Sequence, residues 1–316
     1  MSLLLYRGEE FNPNFYSYSG VDIDHAFFLK TKREKLLLVP EMNLEYAESV
    51  AKCRVVSYGR KPLATLKGMV KKSDTLSLDF RSLSASMYLK LSKLFGVKDA
   101  SGELAFYRSV KSREEVSLLK KASALSKKLI EKAGKNPGST ESETASALLM
   151  ETHRHDSQPA FPPIVACGKS SSYPHSTPTK KRISSPLMID YGVKHKHYCG
   201  DVTRCFRMNR EQGENYSRLK RIFRLIQDEI PNLKTGSEIS ALSIKLYEKE
   251  GLPYPPHGIG HGIGLEVHEL PSLSPGSRDS IINSAFTIEP SAYFRGKYGL
   301  RYENTIHFDG KKAKVL

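Results

Sequence analysis

The sequence predicts an α+β protein in two parts, a smaller α/β domain over residues 1–108 and a larger domain of helices and β-rich segments over 109–316. Three observations lead there. Short apolar, β-prone runs alternate with helical spacing in the first third of the chain. A capping box, Ser112 with Glu115, then opens a long amphipathic helix just past a junction at Phe106–Arg113. Beyond it, helices are separated by apolar β-prone runs that carry isolated acidic residues. A length of 316 residues with 39% hydrophobic content is enough for one large or two ordinary domains with a full core.

In the first part, Ala26–Leu29, Leu36–Val39, Val55–Ser57 and Leu76–Phe80 read as strands. Asn43–Ala51 and Ser84–Phe95 have helical spacing, the latter with Met87, Leu91, Leu94 and Phe95 on one side. The aromatic group Phe11, Phe15, Tyr16 and Tyr18 reads as core packing. No chemistry is visible in this part.

In the second part, the Ser112-capped helix runs to about Ala133, with Val116, Leu119, Ala122, Leu125, Leu129 and Ala133 along its apolar line. N-P-G-S at 136–139 is a turn, and Thr140 with Glu143 caps a second helix through Met150. A third amphipathic helix covers about Glu214–Ile230, with Tyr216, Leu219, Phe223, Ile226 and Ile230 on one side. Thr235 with Glu238 caps a fourth that stops near Gly251. Phe161–Gly168, Leu187–Gly192, Tyr198–Met208, Ala285–Phe294 and Leu300–Phe308 are strand-like. Helices followed by β-rich segments occur twice, which hints at a duplicated unit.

The formal charge is +15, with 17 basic against 12 acidic residues in 1–110 and 32 against 22 in the rest. Such charge permits nonspecific attraction to nucleic acid, but its spread over both parts reads as a solvated basic surface, and nucleic acid is not the expected partner. No apolar run approaches a membrane span, and the opening M-S-L-L-L-Y-R-G-E-E is too soon charged for a signal peptide. The cysteines (Cys53, Cys167, Cys199, Cys205) form no C-x-x-C pair, so free thiols and a cytoplasmic location are expected. The spacing of Cys199 and Cys205 fits no usual zinc motif.

The chemistry gathers around P-H-G-I-G-H-G-I-G-L-E-V-H at Pro256–His268. Its glycines permit close backbone approach and present His261 and His268. Asp190 in L-M-I-D-Y-G, Asp201 in C-G-D-V-T-R, Glu289 in F-T-I-E-P and Glu303 in L-R-Y-E-N-T are carboxylates in apolar, β-prone runs. An unpaired charge there is costly. Together with one histidine they make a ligand set for two divalent cations. All lie on or beside β segments or the Gly-rich stretch, so convergence on a single sheet face is expected.

These motifs, in this order, resemble the prolidase and aminopeptidase P group of pita-bread metallopeptidases. The resemblance is strong over roughly 110–316, and the first part is similar to that group's creatinase-type N-terminal domain. It implies a two-metal hydrolase of Xaa–Pro bonds acting on proline-containing peptides, and a homodimer. By the same resemblance, Asp190 holds one ion, Asp201 and Glu303 bridge both, and His261 and Glu289 bind the other. Mixed N/O ligands suit Mn, Co, Fe or Zn. The resemblance also makes Glu289 a general base that shuttles a proton to the leaving nitrogen. His175, in Y-P-H-S-T-P, becomes a substrate-side histidine, and His268 a donor to the carbonyl oxygen. Arg301 would contact substrate or hold an acidic ligand in place.

The chain departs from the group's pattern at four positions. It reads H-E-L-P-S where dipeptidases of the group often carry H-E-x-P-R, so Ser272 replaces the arginine that takes a dipeptide's carboxylate. Ser284 and Ser291 stand where glycines are usual, and Cys167 where serine is common. H-E-x-x-H is absent because position 272 is serine, and G-I-G-H-G-I-G lacks the Lys-Ser/Thr of a phosphate loop. Methionine aminopeptidase shares the five ligands, but the N-terminal domain and the E-V-H-E-L-P context favour the proline-directed branch. A metal-free pita-bread binding module for protein or nucleic acid has only the charge in its favour.

Overall fold

The computed structural model describes residues 2–71 and 74–316. The chain divides into two compact units, Met1–Arg108 and Ser109–Leu316.

The first unit is built on a six-stranded mixed sheet in the order Arg54–Ser57, Lys35–Val39, Ala26–Lys30, Ser2–Arg7, Thr75–Leu78, Gly96–Asp99. Alternate residues along each strand go to opposite faces, so one run can serve two cores. Leu4, Phe27, Leu29, Leu36 and Leu38 pack with Leu66 and Leu91 of the helices Pro62–Met69 and Ala85–Ser92. Leu5, Phe28, Leu37 and Val39 pack with Phe15, Ala47 and Leu104 of the helices Pro13–Ser19, Leu44–Val50 and Ser101–Ser109. Both faces are covered, which is why these strands read as continuous apolar runs.

Three local expectations change here. The Leu76–Phe80 run stops pairing at Leu78, because Asp79 turns inward and accepts from Asn14 Nδ2 at 2.6 Å. Residues 106–109 belong to the Ser101–Ser109 helix and not to a connecting segment. The strands Ser2–Arg7 and Gly96–Asp99 have no counterpart in the sequence reading; the second is a polar edge strand that carries little pattern.

In the second unit, each of two helix pairs covers its own set of strands. Leu129, Ile130, Ala145 and Leu148, from the helices Arg113–Lys135 and Glu141–Arg154, pack on Val165, Leu187, Ile189 and Tyr191. Tyr216, Leu219, Phe223, Ile226 and Ile239, from the helices Arg210–Glu229 and Gly236–Glu250, pack on Phe286, Ile288, Leu300 and Ile306. The expected boxes close the helix starts at Ser112 and Thr235. The third helix begins earlier than its apolar line indicates, because Asn209 and Gln212 form a capping box of their own. The second runs on to Arg154, where Thr152 is tied to Leu148 O and to Tyr191 Oη at 2.7 Å.

The long β segments do not remain single strands. Tyr198–Met208 divides into Tyr198–Cys199 and Val202–Phe206, which lie in different sheets. Ala285–Phe294 divides into Ser284–Ile288 and Ser291–Phe294, and Leu300–Phe308 into Tyr298–Arg301 and Asn304–Phe308, each pair again spanning two sheets. Asp201, Glu289 and Glu303 stand at the three breaks. Phe161–Gly168 is a strand only over Ile164–Cys167, since Pro162 and Pro163 cannot join a ladder.

Candidate metal centre and active site

Asp190 is the one acidic candidate inside a continuous strand. Leu187, Ile189 and Tyr191 of that strand face the first helix pair, so Asp190 points the other way. Thr203 and Ile164 lie opposite it on the neighbouring strands. Thr203 Oγ1 donates to Glu303 Oε2 at 2.6 Å, and Glu303 N donates to Thr203 O at 3.3 Å, bringing residues a hundred positions apart into one place. Asp201 enters from the adjacent break, its carbonyl accepting from Thr305 Oγ1 at 3.3 Å. Glu289 N donates to Ile259 O at 2.8 Å, which locks the third break against the Gly-rich stretch.

That stretch needs its glycines. A Cβ at Gly260 would lie 2.0 Å from Thr287 O, and one at Gly262 2.3 Å from the Leu270 carbonyl carbon. The close backbone approach brings His261 to the acids, with Nε2 3.6 Å from Asp201 Oδ2 and 3.7 Å from Glu289 Oε1. Its Nδ1 lies 3.2 Å from Gly262 O; with the ring hydrogen placed there, the Nε2 lone pair faces the carboxylates. Ligand atoms of Asp201, His261 and Glu303 all fall within 4.8 Å of one another.

The four carboxylates are 2–7% exposed. Burial first, then Glu303, Asp190 and Glu289, push Asp201 well above the usual carboxylate range. Burial, Glu289 and Asp190 do the same to Glu303. Glu289 is pushed up to about 7 by burial, against the pull of Arg301. Burial and the neighbouring His268 push His261 down to about 3, so its imidazole is neutral and can ligate a metal.

Acids that resist ionising together call for cationic charge. Arg301, 4% exposed, supplies part of it: its Nη2 is 3.1 Å from Asp190 Oδ2 and its Nη1 3.5 Å from Glu289 Oε2. Buried Asp190 Oδ1 and Asp201 Oδ1 still have no hydrogen-bond partner. Unpaired acceptors, mutual repulsion and a neutral imidazole are the donor set that divalent cations satisfy.

The candidates line a single cavity of about 570 Å³ together with His175, His268 and Arg301. Its apolar wall includes Phe161, Pro162, Pro163 and Ile164. His268 packs its ring on His261 at 4.2 Å between centroids. His175 is exposed and lies in the segment that Pro174 O ties to Arg301 Nη2 at 3.0 Å. Convergence is therefore on one cavity but not on one sheet face. The site lies where several sheets exchange strands, and the breaks let carboxylates from different ladders turn inward.

Two residues near the centre were not singled out from the sequence. His257 has Nδ1 3.6 Å from Glu289 Oε2 and Nε2 3.0 Å from Tyr293 Oη. Burial and Arg301 push its ring down to about 4, and burial pushes Tyr293 up to about 12. Their one signal is spacing: each lies four residues from a ligand candidate, His261 or Glu289. Cys199 and Cys205 are free and buried, and burial pushes both thiols up to about 12, which leaves them protonated.

The residues 11–110 match the creatinase/prolidase N-terminal domain, and 117–309 match metallopeptidase family M24. An uncharacterized peptidase of Methanocaldococcus jannaschii is 35% identical over 66% of this chain and 63% of its own length. A Xaa-Pro dipeptidase of Pyrococcus furiosus is 29% identical over 96% of this chain and 90% of its own. Among solved structures, the prolidase of Pyrococcus horikoshii superposes with a TM-score of 0.88 at 26% identity, covering 99% of this chain and 92% of that one. The X-Pro aminopeptidase of Thermotoga maritima has the same fold, with a TM-score of 0.91 at 24% identity, over 99% and 94%. The second unit thus has the pita-bread fold and the first the creatinase-type fold, and that family works with divalent metal ions. With its model matched over 117–309, the chain belongs to metallopeptidase family M24.

Proposed function

We propose that this protein hydrolyses Xaa–Pro peptide bonds with two divalent ions held by Asp190, Asp201, His261, Glu289 and Glu303. The observation that carries it is the burial of four mutually repelling carboxylates and a neutral imidazole around one cavity, in a chain of family M24. Relatives named Xaa-Pro dipeptidase and prolidase support the proline specificity, and the apolar wall at Phe161–Ile164 suits a pyrrolidine ring.

In this reading Asp190 would hold one ion and His261 and Glu289 the other, with Asp201 and Glu303 available to both. Bound divalent ions supply Lewis acidity and bring the pKa of water near neutrality. The rest is done by side chains. Glu289, buried at the cavity, would take a proton from the attacking water and deliver it to the proline nitrogen. That nitrogen carries no hydrogen in the peptide and leaves only when protonated. His268, packed against His261 and lining the cavity, would donate to the carbonyl oxygen as charge develops there. His175 contacts substrate from the rim. Arg301, engaged with Asp190 and Glu289, keeps both carboxylates aimed into the cavity.

The mixed N/O donor set suits Mn, Co, Fe or Zn. The free cysteines support a reducing compartment, the cytoplasm. Exposed Met42, Tyr46 and Val50 support a homodimer. The test is hydrolysis of Ala-Pro-Ala, Ala-Ala-Ala and Met-Ala-Ser by chelator-treated protein resupplied with each metal. Metal-dependent release of alanine from Ala-Pro-Ala alone is expected. No cleavage of any Xaa–Pro bond, or preference for Met-Ala-Ser, rejects the reading.

A further inference from the structure

The motif C-G-D-V-T-R holds, besides Asp201, a buried arginine that does not line the cavity. Arg204 is 9% exposed, yet its side-chain hydrogen bonds end on neutral acceptors. Its Nη1 donates to Thr203 O at 2.8 Å and to Glu303 O at 2.6 Å, and its Nη2 donates to Asn304 Oδ1. Burying a cation against neutral groups is costly, and an apolar side chain of similar size would pack there at less cost. What the guanidinium adds is a rigid planar fork of donors.

That fork closes on the break that carries Glu303. The residue lies between the strands Tyr298–Arg301 and Asn304–Phe308, so no ladder runs through it. Its main chain meets Thr203 in an isolated bridge, through the 3.3 Å bond from Glu303 N to Thr203 O. Arg204 Nη1 joins the carbonyls of both bridge residues. The ring of Tyr302 lies 4.6 Å from Arg204 Cζ and is held edge-on by Tyr216 and Phe223. One planar group thus touches three consecutive residues, 302 to 304, and the middle one is the ligand candidate.

Resting on the two-ion reading, we infer that Arg204 is a positioning residue: its guanidinium, spread over Tyr302, Glu303 and Asn304, fixes the Glu303 carboxylate where two ions can share it. A carboxylate that serves two ions tolerates less misplacement than one that serves a single ion. If Glu303 drifts, Asp201, His261 and Glu289 can still hold one ion, so the loss falls on the second. Groups that orient a ligand from behind typically carry about 10- to 100-fold in metal affinity.

The test titrates chelator-treated full chain with Mn(II), by calorimetry and by electron paramagnetic resonance, for the natural protein, Arg204→Met and Arg204→Lys. The natural protein takes up about two ions and shows the coupled spectrum of neighbouring ions. In Arg204→Met the first ion binds within about threefold of natural, the second at least about tenfold more weakly, and the coupled spectrum is lost. Arg204→Lys restores the charge but not the fork, and stays close to Arg204→Met. Both ions weakened alike, an unchanged second ion, or full recovery in Arg204→Lys overturns the inference and leaves the two-ion reading standing. Fewer than two ions on the natural protein sinks that reading and this inference with it. If Arg204→Met does not fold, Asn304→Ala decides: it frees one arm of the fork and weakens the second ion about threefold or more, and an unchanged second ion there overturns the inference.

Discussion

Arg301 Nη2 lies 3.1 Å from Asp190 Oδ2, and both side chains are buried and line the cavity. The same guanidinium reaches Glu289, so one cation spans an acid within a strand and another at a break between strands. Replacing Arg301 by Met leaves those acids buried without their partner. Metal-free protein should lose about 3–5 kcal/mol of stability, the cost of breaking a buried pair from one side. Denaturant unfolding with and without metal checks this, and metal should restore a large part. Arg301→Lys keeps the charge but not the planar fork, and should fall between the two.

Glu303→Gln should act in opposite directions on the two forms of the protein. Burial, Glu289 and Asp190 disfavour its ionised form, so neutralising it relieves repulsion and stabilises the metal-free chain by about 1 kcal/mol or more. The same change removes a metal donor, so bound metal and nearly all hydrolysis should be lost. Asp201→Asn should behave alike. Elemental analysis paired with thermal melts reads both effects. Unchanged turnover in either variant contradicts the ligand assignment.

The metal-free protein should weaken as pH rises. Asp201, Glu289 and Glu303 have folded pKa values above those of the unfolded chain, so the folded state holds the extra protons. Stability is then fullest below the ordinary carboxylate range and is lost as pH rises through the folded values, about 7 for Glu289. Melts of chelator-treated protein should fall across that window. Metal binding displaces the same protons, so a saturating ion should raise the melting temperature most at the high end. A metal-free protein that grows steadier over that window would contradict this.

Glu141 anchors the segment that carries His175. Fully buried at the start of its helix, it accepts from Cys167 N at 2.9 Å, Thr179 N at 3.1 Å and Thr179 Oγ1 at 2.8 Å, and from Ser170 Oγ. Glu141→Gln turns one acceptor into a donor facing donors. A loss of about 1–3 kcal/mol is expected. As His175 and Ser176–Pro178 line the cavity, KM should rise more than kcat falls.

His268→Ala should separate binding of metal from use of it. The ring packs at a tilt against His261 but is not among the residues proposed to hold an ion. Metal content should persist while kcat/KM drops by about 10²–10³, the usual cost of losing one donor to a developing oxyanion. Loss of metal in this variant would recast His268 as a support for His261.

By itself the sequence determined the two-part α+β organisation, the capped helix starts at Ser112, Thr140 and Thr235, and the residue types at Asp190, Asp201, His261, Glu289 and Glu303. Caps, apolar periods and short motifs depend on neighbours in the chain, so they can be read without coordinates. Only the tertiary structure decided that three long β runs break at Asp201, Glu289 and Glu303 and cross between sheets. It alone sank Arg301 between two acids, set His257 beside Glu289 and placed Ser272 across from His261. The reason is that a buried charge takes its character from whatever surrounds it. Here those surroundings come from segments as far apart as Thr203 and Glu303, whose meeting no local pattern records.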